Sequence, residues 1–139
     1  MRSSGIHHVD LVVSSVERSL PFYRGLLEPL GWTGLSEVEG ERGETIWYLS
    51  GPGTSIGIRR RQSDANPLPY DRYGVGLHHL CFEAESRAVV DVRAEWLRAQ
   101  GATIESGPRE YGYIPGYYAV FAYDPDGLKL EIVHVPAHG

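Results

Sequence analysis

Apolar and polar residues alternate with period two at the start of this chain, then switch to a helical spacing, then return to period two. In residues 5–13 (Gly-Ile-His-His-Val-Asp-Leu-Val-Val), Val9, Leu11 and Val13 alternate with His8, Asp10 and Val12, the signature of a strand with two unlike faces. Ser14 or Ser15 can cap a following helix whose apolar stripe is Val16, Leu20, Tyr23, Leu26, Leu27 and Leu30. Pro21 falls in that stripe and fits the first turn of a helix starting near Ser19, and Gly31 ends the helix. Strands are then expected at 32–38, 45–49 and 55–60, separated by a polar turn at 39–44 and by Gly51-Pro52-Gly53.

A polar segment with two prolines, 61–75, reads as a connector, and the pattern then restarts. Leu77 to Ala84 is a strand in which Leu80, Phe82 and Ala84 oppose His79, Cys81 and Glu83. Ser86 opens a helix with Val89, Val92, Trp96 and Leu97 inside and Gly101 at its end. Residues 102–105 form a strand and 106–116 a loop. A hairpin over 117–135 turns at Asp124-Pro125-Asp126-Gly127, where proline presets φ and glycine supplies positive φ. The order β-α-β-β-β thus occurs twice, in modules 5–60 and 76–135. This predicts a single α+β domain spanning 1–139: two tandem βαβββ modules forming a curved, mixed sheet that encloses a cleft, with the helices outside.

Parity carries the functional argument. The helix of each module must cover the apolar strand face, so His8, His79 and Glu131 point the other way, toward the cleft. His7 and His78 have the opposite parity and read as strand-edge residues. An acid inside an otherwise apolar strand is costly to bury without a partner. Two imidazoles and one carboxylate form a site for one divalent metal with vacant positions, and these ligand types suit Fe, Mn, Zn, Ni or Co alike. The remaining candidates are less sharply placed. Arg59 can contact an anionic substrate, and Trp47 or Tyr48 must face inward as an aromatic wall. The loop Glu110-Tyr-Gly-Tyr-Ile-Pro-Gly-Tyr-Tyr118 can act as a lid, with Tyr111 or Tyr113 as proton donor over the substrate and Tyr118 among the substrate-binding residues. Cys81 shares the parity of His79. Asp10 shares that of His8 and can orient an imidazole.

These motifs resemble the vicinal oxygen chelate superfamily of glyoxalases, bleomycin-resistance proteins and dioxygenases. The likeness is carried by Ile6-His-His-Val-Asp-Leu-Val-Val13, Ser19-Leu-Pro-Phe-Tyr23, Leu77-His-His-Leu-Cys-Phe82 and Asp124-Pro-Asp-Gly-Leu-Lys-Leu-Glu131. The resemblance implies a metal held by His8, His79 and Glu131, bidentate binding of a small substrate through adjacent oxygens, and stabilisation of an oxyanionic intermediate. It also implies a homodimer, in some relatives with half-sites shared between chains. Glyoxalase-type relatives place a glutamate that is both ligand and base on the last strand of the first module. Here the inward residue of Ser55-Ile-Gly-Ile-Arg59 is Gly57, so that base is missing. The alternative within the resemblance is a metal-free, drug-sequestering binding protein.

Composition narrows the setting. The net charge of −5 disfavours a nucleic-acid partner, and the strand-length apolar runs give no membrane span. One cysteine in 139 residues excludes an intrachain disulfide and suits a reducing, cytoplasmic compartment, and the N-terminus reads directly into a strand without a signal peptide.

Overall fold

The computed structural model describes residues 5–66 and 69–136, and His138 and the centre of the connector lie outside them. The chain divides into two compact units, Met1–Pro67 and Leu68–Gly139. Each carries one helix and one open four-stranded mixed sheet, so the α+β class and the tandem repeat are both present.

In the first unit the strands are β1 (His8–Val13), β2 (Gly34–Glu39), β3 (Thr45–Gly51) and β4 (Thr54–Arg60), in the order β1-β4-β3-β2. β1 runs parallel to β4, pairing His8 with Ser55 and Asp10 with Gly57, and the remaining pairs are antiparallel. A parallel pair needs a long crossover, which here contains helix α1 (Val16–Leu27). Ser15 caps α1 by accepting a hydrogen bond from Arg18 N at 3.2 Å. The helix therefore begins at Val16, behind one of the two serines expected to cap it, and not near Ser19 as a first-turn Pro21 would require. Proline sits in its interior, on the exposed side, where the missing donor faces solvent. Tyr23, Leu26 and Leu27 are buried on the inner side of α1, and Ile56 and Ile58 on the sheet face toward it. A 3₁₀ turn (Glu28–Leu30) and Gly31 at φ 101° finish the helix.

The second unit repeats the plan with β5 (Leu80–Glu83), α2 (Arg87–Ala99), β6 (Ile104–Glu110), β7 (Tyr118–Tyr123) and β8 (Lys129–His134), in the order β5-β8-β7-β6. Ser86 caps α2 through Val89 N. The buried stripe of α2 is Val90, Arg93, Ala94 and Leu97, and Val92 is exposed, so the inner face is rotated by about one residue from the expected one. β6 runs to Glu110 and takes in half of the segment expected as loop. Its pairing with β7 is irregular, with register shifts between Ile104 and Arg109 that hide the alternation from a period-two reading.

The turn between β7 and β8 fixes the register of the last strand. Asp124 is buried, and its Oδ1 accepts from Asp126 N and Leu128 N, each at 2.8 Å. Gly127 takes φ 86°, and its N–H donates to Asp124 O at 3.0 Å. β8 is thereby held between β5 and β7, with Cys81 and Phe121 as the register neighbours of Glu131. No helix among the described residues is long and apolar enough to cross a membrane.

Candidate functional site

Glu131 is the focus of the second unit. It is 2% exposed, which removes it from the solvated outer face where a strand glutamate ordinarily sits. Its register partner Phe121, with Ala119 and Val133, forms a buried apolar cluster on the same face, with Tyr111, Tyr117 and Val135 packed against it. His79 Nε2 lies 3.1 Å from Glu131 Oε1, and the Tyr117 hydroxyl donates a short hydrogen bond to Oε2. Among the described residues no lysine or arginine is ion-paired to this carboxylate. A carboxylate taken out of water needs a compensating cation or several donors, and this one has an imidazole, a phenol and the Cys81 thiol.

The surroundings register that carboxylate. Exclusion of water pushes the Tyr117 phenol above its ordinary range, and the hydrogen bond to Glu131 adds to the effect. The Cys81 thiol is likewise raised, first by desolvation and then by the charge of Glu131, although the residue as a whole remains exposed. Cys81 is therefore an unreactive neighbour rather than a nucleophile.

Tyr117 was not among the residues singled out by sequence, and strand parity could have found it. It stands two and four residues before Ala119 and Phe121, and so on the Glu131 face. Tyr118 falls on the other face, where its hydroxyl donates to Asp91 Oδ1 of α2 at 2.5 Å and Arg87 lies over its ring. Tyr111 and Tyr113 stack with ring planes 6° apart and centroids 5.7 Å apart. Tyr111 also meets Phe121 edge to face and bonds to the Ser106 hydroxyl, and Tyr113 meets Tyr117 edge to face. The two tyrosines thus continue the aromatic surface outward from Glu131, with Tyr113 mostly exposed at the rim.

The first unit holds a different arrangement on the corresponding face. Asp10 accepts from the Tyr48 hydroxyl at 2.8 Å and pairs with Arg59 Nη1 at 3.1 Å. Arg59 Nη2 is shared between Glu41 Oε2 at 2.7 Å and Glu44 Oε1. These bonds, that to Glu41 first, raise the guanidinium pKa further, and all three carboxylates compete with any anionic substrate for it. Of the two adjacent aromatics, Tyr48 takes this face, beside Asp10 and with its ring edge to face with His8. Trp47 pairs with Ile58 and lies on the α1 side. Burial, followed by the hydrogen bond to Asp10, raises the Tyr48 phenol. Gly57 is what lets the cluster form: a Cβ there would lie 2.4 Å from Asp10 Oδ1 and 2.7 Å from Tyr48 Cε1.

His8 heads β1 in the first unit, exposed, with its Nδ1 2.9 Å from His7 Nδ1. Among the described residues no group of three His, Cys, Asp or Glu side chains that could hold a metal ion forms. The association that does form is His79 with Glu131. Its donor types, a neutral imidazole nitrogen and a carboxylate oxygen, fit a divalent cation, and the carboxylate lacks a fixed positive partner.

A duplicated βαβββ chain with a histidine heading each repeat and a buried glutamate on its final strand defines the class of glyoxalase-like folds. The chain belongs to the Glyoxalase/Bleomycin resistance protein/Dioxygenase superfamily, whose sequence profile matches residues 5–132. It is 34% identical to Bacillus subtilis (strain 168) protein YqjT over 134 residues, covering 92% of this chain and 97% of that one. The glyoxylase/bleomycin resistance protein/dioxygenase domain from Frankia sp. EAN1pec superposes with a TM-score of 0.77 at 25% identity, covering 99% and 96% of the two chains. The fosfomycin resistance protein FosX from Listeria monocytogenes, solved with Mn(II) and sulfate, shares the fold at a TM-score of 0.65 and 18% identity, covering 97% and 95%.

Proposed function

We propose that this chain is a divalent-metal-dependent enzyme that activates a small substrate bearing vicinal oxygens, in a lyase, isomerase or oxygenase reaction. The observation that carries the reading is the buried Glu131 carboxylate, joined to His79 and lacking an internal cation. His79 and Glu131 supply two ligands and His8 the third, from the same chain or from a second copy in a homodimer. The Mn(II) bound by FosX, a protein of the same fold, supports a metal at such a site. When bound, a divalent ion supplies Lewis-acid polarisation of adjacent substrate oxygens and stabilises the developing oxyanion.

The residues of the chain do the rest. Tyr117 holds Glu131 Oε2, leaving Oε1 directed at the imidazole. Phe121 and the stacked Tyr111–Tyr113 pair exclude water from one side and present an apolar surface to the substrate. Tyr113, at the rim, is placed to give or take a proton, and Tyr111 is its inner counterpart. With Gly57 in place of an acid, this proton donor has to come from the tyrosines rather than from β4. Arg59, Trp47 and Tyr118, each engaged elsewhere or on the helix side, are secondary candidates for substrate contact. The lone Cys81 suits a reducing cytoplasm.

Elemental analysis and Mn(II) or Zn(II) titration of the purified protein test the reading. One equivalent per site in the wild type, lost in Glu131→Ala, is the expected result. Metal retained by Glu131→Ala would dismiss the site. A wild type that takes up no metal yet gains thermal stability from an aromatic ligand would make the protein a sequestering binder instead.

A further inference from the structure

β6 does not alternate regularly, and its irregularity decides which charge stands on the face that carries Glu131. Ser106 pairs with Phe121 and Arg109 with Ala119, so three steps along β6 match two along β7. Phe121 and Ala119 both lie on the Glu131 face. Unbroken alternation from Ser106 would bring Glu110 to that face. The bulge brings Arg109 instead. Glu110 is left on the helix side, where Arg87 pairs with it at 2.6 Å and lies over the Tyr118 ring. Gly107 makes the bulge possible: it takes φ 86°, and a Cβ there would lie 2.4 Å from Ala119 O.

The guanidinium delivered in this way has an aromatic seat and no acid. It is exposed and lies over the Tyr111 ring, 4.5 Å from the centroid. Tyr111 stacks on Tyr113 and meets Phe121 edge to face, so the charge rests at the end of the aromatic surface that starts beside Glu131. Among the described residues no carboxylate lies within ion-pair distance of Arg109. The neighbouring cations are taken. Lys129, over the Phe121 ring, pairs with Glu105 at 2.9 Å, and Arg72 pairs with the same carboxylate at 2.8 Å. A ring face attracts a guanidinium but leaves its five N–H donors for other partners. Their planar fork matches the two oxygens of a carboxylate. Arg109 stands two strands from β8, about 9.5 Å across the sheet, and about 7 Å along it from the level of Glu131. That interval is too long for an ion pair and suits a small molecule lying on Tyr111 and Phe121.

We propose that Arg109 determines the charge of the substrate: it holds a carboxylate at one end of a small molecule whose vicinal oxygens face Glu131 at the other. The inference rests on the metal reading of His79 and Glu131 and adds a substrate class to it, a compound with vicinal oxygens and a remote carboxylate. Arg109 selects and orients, and takes no part in bond making. The bulge in β6 then has a task, since it exchanges an acid for a base on the substrate side of the sheet.

Calorimetric titration of the wild type, Arg109→Met and Arg109→Lys, each loaded with Zn(II), tests the assignment. Circular dichroism confirms that the variants are folded. The paired probes are para-carboxybenzohydroxamate, whose hydroxamate presents adjacent oxygens, and its methyl ester, which lacks the charge. The wild type should bind the acid about tenfold more tightly than the ester. Arg109→Met should lose that preference and bind the ester as the wild type does, with Zn(II) uptake unchanged. Arg109→Lys should keep part of the preference, because an ammonium retains the charge and loses the fork. An acid preference retained in Arg109→Met, or absent from the wild type, would overturn the inference. Zn(II) uptake is measured first and separately. A wild type that takes up no Zn(II) removes the metal reading, and the acid and ester are then compared on the metal-free protein. A preference lost in Arg109→Met upholds the role of Arg109 there, and equal binding of the two probes contradicts it.

Discussion

The same positions in the two repeats carry opposite solutions to one problem, the placing of an acid on the sheet face turned away from the helix. β1 and β4 set Asp10 beside Gly57, whereas β5 and β8 set Cys81 beside Glu131. Two residues beyond the central position, the first repeat has Arg59 and the second has Val133. The acid of the first repeat is thus neutralised by a guanidinium built into the neighbouring strand, which Glu41 and Glu44 hold in place. The acid of the second repeat is more fully withdrawn from water, its side chain 3% exposed against 24% for Asp10, but it faces an imidazole and a phenol, with an alanine, a valine and a phenylalanine around it. Charge compensation inside the fold makes the first site a structural clasp, and what is missing at the second is what the proposed cation would supply. Duplication supplied two equal frames, and a few side chains divided the labour between them.

That contrast can be broken at several points. Replacing Glu131 with alanine has the largest expected effect: metal affinity falls by more than about 100-fold by titration, while the melting temperature is kept or rises, because a buried charge has been removed. Arg59→Met should act in the reverse sense, leaving metal uptake intact. It strips Asp10 and Glu44 of their partner and costs about 2 kcal/mol in denaturant unfolding, less than a fully buried pair because the three side chains keep some exposure. Gly57→Ala pushes a methyl into Asp10 and Tyr48, and should cost about 1–2 kcal/mol by the same measurement.

The smallest effect lies beside the second site, where Lys129 stands over the Phe121 ring and pairs with Glu105. The Tyr123 hydroxyl, Arg72 and Lys129 hold the Glu105 carboxyl at about 2, well below its ordinary range. A depressed folded-state pKa stabilises the protein above the unfolded value of about 4.5, and this contribution is lost as the pH falls toward 2. Glu105→Gln should flatten the acid limb of the stability curve by about 1 kcal/mol over that window and leave the Asp10 and Glu131 clusters unchanged at neutral pH.

Much of this arrangement was legible from strand parity, because period two is enforced wherever one sheet face packs on a helix. The positions of His79 and Glu131 on a common face follow from Leu80, Phe82, Leu130 and Ile132 covering the other. Four features were missed. Ser15 was readable as a cap, but Pro21 suggested a first-turn position, and the structure instead tolerates it inside the helix on the solvent side. Val92 looked like a core residue, but the packing of α2 selected Val90 and Ala94 and turned Val92 out. Tyr117 was passed over in favour of Tyr111, Tyr113 and Tyr118, because the glycine-containing turn before it obscured where β7 begins. Parity counted back from Phe121 through Ala119 places Tyr117 on the Glu131 face, as the register of Phe121 against Glu131 bears out. The partners of Arg59 were hidden for a related reason, since Glu41 and Glu44 come from a turn and its edge, where no periodicity constrains direction.

The central claim is that the uncompensated acid of the second repeat, and not the clasped acid of the first, receives a metal. A crystal of the protein soaked in Mn(II), with anomalous diffraction recorded at the manganese edge, tests it most directly. The account predicts a single strong peak within about 2.3 Å of Glu131 Oε1 and His79 Nε2, with a His8 imidazole from either chain completing the set. A peak among Asp10, Glu41 and Glu44, or none near Glu131, would contradict it.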